Sequence, residues 1–248
     1  MNKKTLLISL SAIIIGGIFA SIAWGLGADT SLRWGGWHQG FVVFSDTELV
    51  EFSNPLADFS EIVLEAAHAN ITLQKGDAYH IEGSHPGAVD IDVRNGVLFV
   101  DLPGQSSFSF GIGFSRSLSS QVTITVPYGT VVAAADFSIE LGNIEVDQVA
   151  LERADLETGL GNITVTSRLT GTAQFTSRLG NIALTVKNGD IDDFSYHAIT
   201  NIGSIAVGAI HSSTGSVNAV ISQTLPNPLG TIHAETNLGN ITITFQEA

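Results

Sequence analysis

The 248-residue chain contains no cysteine. That excludes disulfides, a thiol nucleophile, thiolate metal sites and a lipid-modified cysteine anchor. Positive charge is scarce, with 10 Lys and Arg against 24 Asp and Glu and a formal charge of −14. An acidic exterior repels nucleic acid and bare anionic polymers, so there is no electrostatic footprint for DNA or RNA. An anionic envelope polymer would need divalent cations to bridge it to such a surface. Catalytic signatures are missing as well. The seven His residues (His38, His68, His80, His85, His197, His211, His233) include no HExxH and no close i, i+4 pair, and no GxSxG elbow occurs.

What is present begins with a core, since 44% hydrophobic content in a chain of this length suffices for one domain plus an anchor. Lys3 and Lys4 precede a run at 6–23 interrupted only by Ser9, Ser11, Gly16, Gly17 and Ser21. About 20 mainly apolar residues are what one membrane crossing needs. The run is long for the core of a cleaved secretory signal, although Ser21, Ile22 and Ala23 offer small residues at a workable spacing. Residues 1–27 are therefore expected to be a single N-terminal transmembrane helix, with a signal peptide as the alternative. Either way the lysines keep the N-terminus inside and send the remainder outside. In the juxtamembrane segment, 28–58, Trp34, Trp37 and Phe41 follow Trp24 of the anchor. They fit the outer membrane surface or a stalk that buries a few aromatics.

The remaining residues, 59–248, are organised around five near-copies of one hexapeptide. These are LGNIEV at 141–146, LGNITV at 160–165, LGNIAL at 179–184, IGSIAV at 202–207 and LGNITI at 238–243. The first three recur at a step of 19 residues, the mark of a repeat architecture. In register, one column holds Phe137, Leu156 and Phe175, and the column beside the turn holds Leu141, Leu160 and Leu179. Beyond the turn stand Ile144, Ile163 and Ile182, then Val146, Val165 and Leu184. Polar residues such as Asp155, Glu157, Glu145 and Thr164 alternate with them, so each unit is strand, bend, strand with one face buried. The Gly-Asn pair suits a hairpin loop or a solenoid corner where Asn143, Asn162 and Asn181 stack. The fixed period favours the corner, because a lone two-strand unit cannot bury its own apolar face and stacked units can. The expected fold is all-β, a parallel β-helix-like solenoid of short strands with about 19 to 24 residues per coil. Upstream, 61–66 alternates, Asn70 opens a weaker bend-and-strand unit, and Asn95-Gly96 between alternating runs signals a hairpin. An apolar, Gly-spaced loop at 108–114 either caps an open end of the solenoid or touches a lipid or partner.

The order of an opening strand, a weak NITL unit, a hairpin ending in VLFVDLPG, then QVTITVPYGT leading into serial LGNI units resembles the DUF4097 family. These are bacterial envelope proteins that carry the name adhesin, and the resemblance spans 59–245. It implies a β-strand-repeat ectodomain behind a membrane anchor, in some members tied to envelope-stress regulation. It brings no catalytic residues. Spacing after Asp190 departs from the regular step, so the last coils are expected to be distorted.

Parallel β-helices also carry polysaccharide-cleaving enzymes, which use paired carboxylates on an outer face. Asp136 over Asp155, with Glu140, Glu145 and Glu157 nearby, is the candidate pair, and Arg153, Arg168 and Arg178 are the nearest bases. The third coil has Gln174 and Thr176 instead, which favours a solvated acidic face over a site, with weak calcium binding as the next reading. The acidic loop at 187–193 matches neither the EF-hand nor the β-roll pattern and reads as a charged turn. The Asn-x-Thr sequons at Asn70, Asn162 and Asn240 are explained by the repeat itself. No catalytic, cofactor-binding or metal-ligating residue is proposed. The expected function is a non-enzymatic, single-pass surface protein of the cell membrane presenting its solenoid for envelope or adhesive contacts. The alternative is a carbohydrate-active enzyme. Expected partners are the membrane, through the N-terminal helix, and a cell-wall polymer or membrane protein.

Overall fold

The computed structural model describes residues 31–33, 42–44, 49–103, 119–212 and 216–246. The apolar run at 6–23, the aromatics Trp24, Trp34, Trp37 and Phe41, and the 108–114 loop lie outside them. No helix among the described residues is long and apolar enough to cross a membrane. Strands β1 (Ser31–Arg33) and β2 (Val42–Phe44) pair antiparallel in a unit of their own. A second unit, from Leu49 onward, holds all the other strands. In chain order they are β3 (Val50–Pro55), β4 (Glu61–Gly76), β5 (His80–His85), β6 (Asp90–Arg94), β7 (Val97–Leu102), β8 (Ser120–Pro127), β9 (Val131–Val132), β10 (Ala134–Leu141), β11 (Ile144–Asp147), β12 (Ala150–Leu151) and β13 (Ala154–Leu160). Then follow β14 (Ile163–Ser167), β15 (Thr172–Leu179), β16 (Ile182–Val186), β17 (Phe194–Gly203), β18 (Ile205–Val207), β19 (Ile210–His211), β20 (Ser216–Gln223), β21 (Gly230–Leu238) and β22 (Ile241–Phe245).

A single coil shows how the repeat folds. Strand β10 alternates inward and outward residues until Gly142 and Asn143 turn the chain into β11, and Gln148, in the left-handed region at φ 57, turns it again into the short β12. The next coil starts at β13, in parallel register with β10. The corner needs glycine because the backbones nearly touch there. A Cβ on Gly161 would run into the carbonyl oxygen of Gly142, and one on Gly180 into that of Gly161. Gly-Asn is therefore a corner and not a hairpin loop. Asn side chains stack along it: the Oδ1 of Asn70 accepts from the backbone N–H of Asn143, Asn143 from Asn162, Asn162 from Asn181, Asn181 from Asn240, and Asn240 from Ser204, each at 2.9–3.0 Å.

That ladder gives the order of the coils, which is not the order of the chain. Successive rungs are separated by 73, 19, 19, 59 and 36 residues. The expected 19 to 24 residues per coil holds for the three central coils and fails at both ends. Nor are the last coils distorted. The coil of β21 and β22 sits in regular parallel register between that of β15 and β16 and that of β17 and β18. At the other end the coil of β7 and β8 lies outside the single long strand β4, which supplies both sides of its own coil. The first sheet thus runs β6, β7, first half of β4, β10, β13, β15, β21, β17, β20, and the second runs β3, β5, β8, second half of β4, β11, β14, β16, β22, β18, β19. All pairings inside these stacks are parallel, and the outermost strands at each end add antiparallel. The Asn95-Gly96 hairpin between β6 and β7 is one of these, with both residues at positive φ as a tight two-residue turn requires.

The inward columns of both sheets make one core. Leu64, Phe137, Leu156, Phe175, Ala234 and Ala198 stack in one, and Ile71, Ile144, Ile163, Ile182, Ile241 and Ile205 in another, none more than 1% exposed. Each Leu, Ile or Phe side chain in these columns stabilises the fold by roughly 2 kcal/mol. The expected column beside the turn behaves otherwise. Leu160 and Leu179 are 43% and 45% exposed, joined by Leu238 and Ile202 at 51% and 53%. These residues stand on the outer side of the corner, where the chain swings from one sheet to the other, and count as surface.

Candidate functional site: the outer face of the first sheet

Charge is concentrated on one face. Outward positions of the second sheet are mostly small and neutral, with Thr72, Glu145, Thr164, Ala183, Thr242 and Ala206 in one row. Glu145 therefore stands around the corner from Asp136 instead of beside it. On the first sheet, the residue seven before each corner forms a row of Val63, Asp136, Asp155, Gln174, His233 and His197. The parallel row beside it holds Asp101, Glu65, Ser138, Glu157, Thr176, Glu235 and Ile199.

Asp136 and Asp155 are directly opposite across a parallel pairing, one strand spacing of about 4.8 Å apart. Partial burial raises the Asp155 pKa, the Asp136 and Glu157 carboxylates raise it further, and Arg153 opposes them. Both carboxylates nevertheless face open solvent. An open depression of about 230 Å³ on this face is lined by Glu65, Ala66, Ala67, Asp101, Leu102, Pro103, Ser138 and Glu140, and includes neither. Arg178 pairs with Glu157 at 3.2 Å, so that base is engaged in an ion pair, while Arg153 is the base that acts on Asp155. Arg168 follows β14 at the corner that leads to Leu169.

Further along the face, the rings of His197 and His233 stack at 5.4 Å, and Glu235 lies 3.7 Å from His233. Sequence spacing hid this pair, because 36 residues separate the two coils. Counting seven back from Ser204 and from Asn240 would have found it. Among the described residues no group of three His, Asp or Glu side chains is placed to hold a metal ion. The 187–193 loop is occupied with its own backbone. Asp190 caps the short 3₁₀ turn at Ile191–Asp193, and the Asp193 carboxylate accepts from the Asp190 N–H in return. Asn162, of the sequons, is committed to the ladder on both sides. This face offers hydrogen bonds and charge along a line, and the depression beside Glu65, Asp101 and Glu140 is open to solvent.

The family model described as Toastrack DUF4097 matches residues 59–185 and, in a second placement, 132–244. The chain belongs to this family. For a Toastrack chain the two placements have a structural meaning: they start as far apart as Asn70 and Asn143, 73 residues, so the model slides by one position of the corner ladder. Among solved structures, a "putative cell adhesion protein" from Clostridium sporogenes ATCC 15579 overlays with a TM-score of 0.58 at 13% identity, covering 80% of this chain and all of its own. At that identity it shows a shared Toastrack fold. A "putative adhesin" from Parabacteroides distasonis ATCC 8503, at 14% identity and covering 81% of this chain and 98% of its own, reaches a TM-score of 0.31, too loose to bear on the fold. No curated protein matches the chain.

Proposed function

We propose that this Toastrack chain is a non-enzymatic binding module of the cell surface, anchored by the apolar run at 6–23 and displaying the outer face of its first sheet to the cell envelope. One observation carries the reading: a line of mostly polar and charged side chains faces solvent, with the carboxylates Asp136 and Asp155 exposed and outside the depression on this face. The name of the Clostridium structure as a cell adhesion protein is in keeping with it. The acidic rows suit a cationic ligand, or an anionic wall polymer bridged by divalent cations. A part in envelope-stress regulation is compatible with such a module, whose ligand occupancy would be the signal.

Co-sedimentation of the full chain, in mild detergent, with cell-wall sacculi tests this directly. Pelleting that needs wall polymer and calcium, and that weakens in a variant carrying Asp155→Asn and Glu157→Gln, supports the proposal. Absence of pelleting in calcium and in chelator alike removes it. Cleavage of a wall glycan that disappears with Asp136→Asn or Asp155→Asn would instead establish the carbohydrate-active alternative.

A further inference from the structure

The two stacked histidines of the first sheet have no part in the reading above. His197 and His233 are opposite one another in the parallel pairing of β17 with β21, on strands about 4.8 Å apart. Tyr196 and Ala198 flank one of them and Ile232 and Ala234 the other, all four buried, so the core fixes the backbones that carry both rings. The rings lie 5.4 Å apart with their planes 24° from parallel, and both side chains are half-exposed. Glu235 stands two residues beyond His233 on the same face, its Oε2 3.7 Å from His233 Nε2. The neighbouring outward positions are uncharged: Gln174 beside His233, Ser222 beside His197, and Thr176 and Ile199 beside Glu235. No Lys or Arg at these positions competes for the carboxylate.

We propose that His197, His233 and Glu235 together bind a divalent transition-metal ion, zinc(II) or copper(II), on the outer face. The donor set selects the ion. Imidazole suits zinc and copper, whereas calcium and magnesium call for oxygen ligands throughout. Two ligands of a tetrahedral zinc, each about 2.0–2.1 Å from the metal, stand about 3.3 Å from one another. His233 and Glu235, at 3.7 Å, are close to that separation already. The half-exposed His197 ring supplies the third donor by turning about its side-chain bonds toward the same point, so the ion itself draws the three groups together and water completes the shell. The carboxylate offsets part of the charge of the metal. This site differs in residues and in ion from a calcium-dependent contact at Asp155 and Glu157.

The chain carries its own control. His80 lies 3.8 Å from Glu82 in the same His-x-Glu arrangement, but Thr125 and Pro55 stand opposite it, so a second ring is missing there. Titration calorimetry of the full chain in mild detergent, with zinc and with copper as the probes, should show a single ion bound and not displaced by excess calcium. His197→Gln should weaken that binding by at least about 100-fold, more than the loss of a mere supporting residue costs. His80→Gln should leave it unchanged, and both variants should keep the parent far-ultraviolet circular dichroism spectrum. Electron paramagnetic resonance of the copper complex should show nitrogen coupling from two imidazoles in the parent and from one in His197→Gln. Absence of a stoichiometric site, displacement by calcium, a site that survives His197→Gln, or an equal loss in His80→Gln would each overturn the assignment.

Discussion

At the scale of single residues, the corner is held by polar groups that the apolar columns conceal. Thr158 donates its hydroxyl to the carbonyl of Gly142, Ser177 to Gly161, Thr236 to Gly180 and Thr200 to Gly239, at 2.9–3.0 Å. All four hydroxyls belong to fully buried residues. Each answers a carbonyl that the close approach of the next glycine keeps away from water. Thr158→Val preserves shape and removes the donor, so it should destabilise by about 1–3 kcal/mol, the cost of leaving a buried acceptor unpaired. Gly161→Ala should cost more, about 3 kcal/mol or above, because its Cβ meets backbone that cannot give way. Urea denaturation of the two variants beside the parent reads both effects. If Gly161→Ala were the milder of the two, close backbone packing would not be what demands glycine.

At the scale of elements, the strand β5 is fastened to β8 by His85. Its ring is 3% exposed, its Nδ1 lies 2.7 Å from the Ser120 hydroxyl, and its Nε2 has no partner. Burial lowers its pKa from the ordinary 6.5, and the Asp101 carboxylate opposes this in part. A histidine held neutral in the fold contributes stability that is fully present above 6.5. As pH falls below 6.5 the unfolded chain takes up the proton first, and the contribution is lost until the folded form protonates too. The parent should therefore lose more stability than His85→Gln between pH 7.5 and pH 5.5, measured as the shift in urea midpoint. Parallel slopes for the two proteins would show that His85 does not couple β5 to the pH. Elements also mark how far the sequence could be read. The 19-residue step, the buried Phe and Ile columns and the Asn95-Gly96 hairpin were legible because each depends on residues near one another in the chain. The exposure of Leu160 and Leu179 was not, because period 2 counts them inward and only the turning of the chain at the corner puts them outside. The acid rows were half legible: Asp136 over Asp155 follows from the step of 19, while His233 and His197 join the same row only once the stack order is known.

At the scale of the whole molecule, the stack order explains the irregular spacing. Asn181 and Asn240 are adjacent rungs 59 residues apart. Removing 190–229, which is 40 residues, brings that step to the 19 of the central coils. The outer coil of β17 and β18, with β19 and β20, is thus an excursion set into an otherwise regular solenoid, which the chain leaves and rejoins in phase. At the other end β5 to β8 make the corresponding excursion between Asn70 and Asn143. The excursions place antiparallel strands over ends that a plain parallel stack would leave open. This inverts what truncation should do. Deleting the internal segment 190–229 leaves β15 and β16 beside β21 and β22 and should yield a folded chain with a lower melting temperature, since one capping coil is gone. Deleting only 230–248 removes the coil that joins β15 and β16 to β17 and β18, and should abolish a cooperative melt followed by circular dichroism. A solenoid threaded in chain order predicts the reverse, the terminal deletion being the milder, so a sharp melt in the 230–248 deletion would refute the stack order derived from the asparagine ladder.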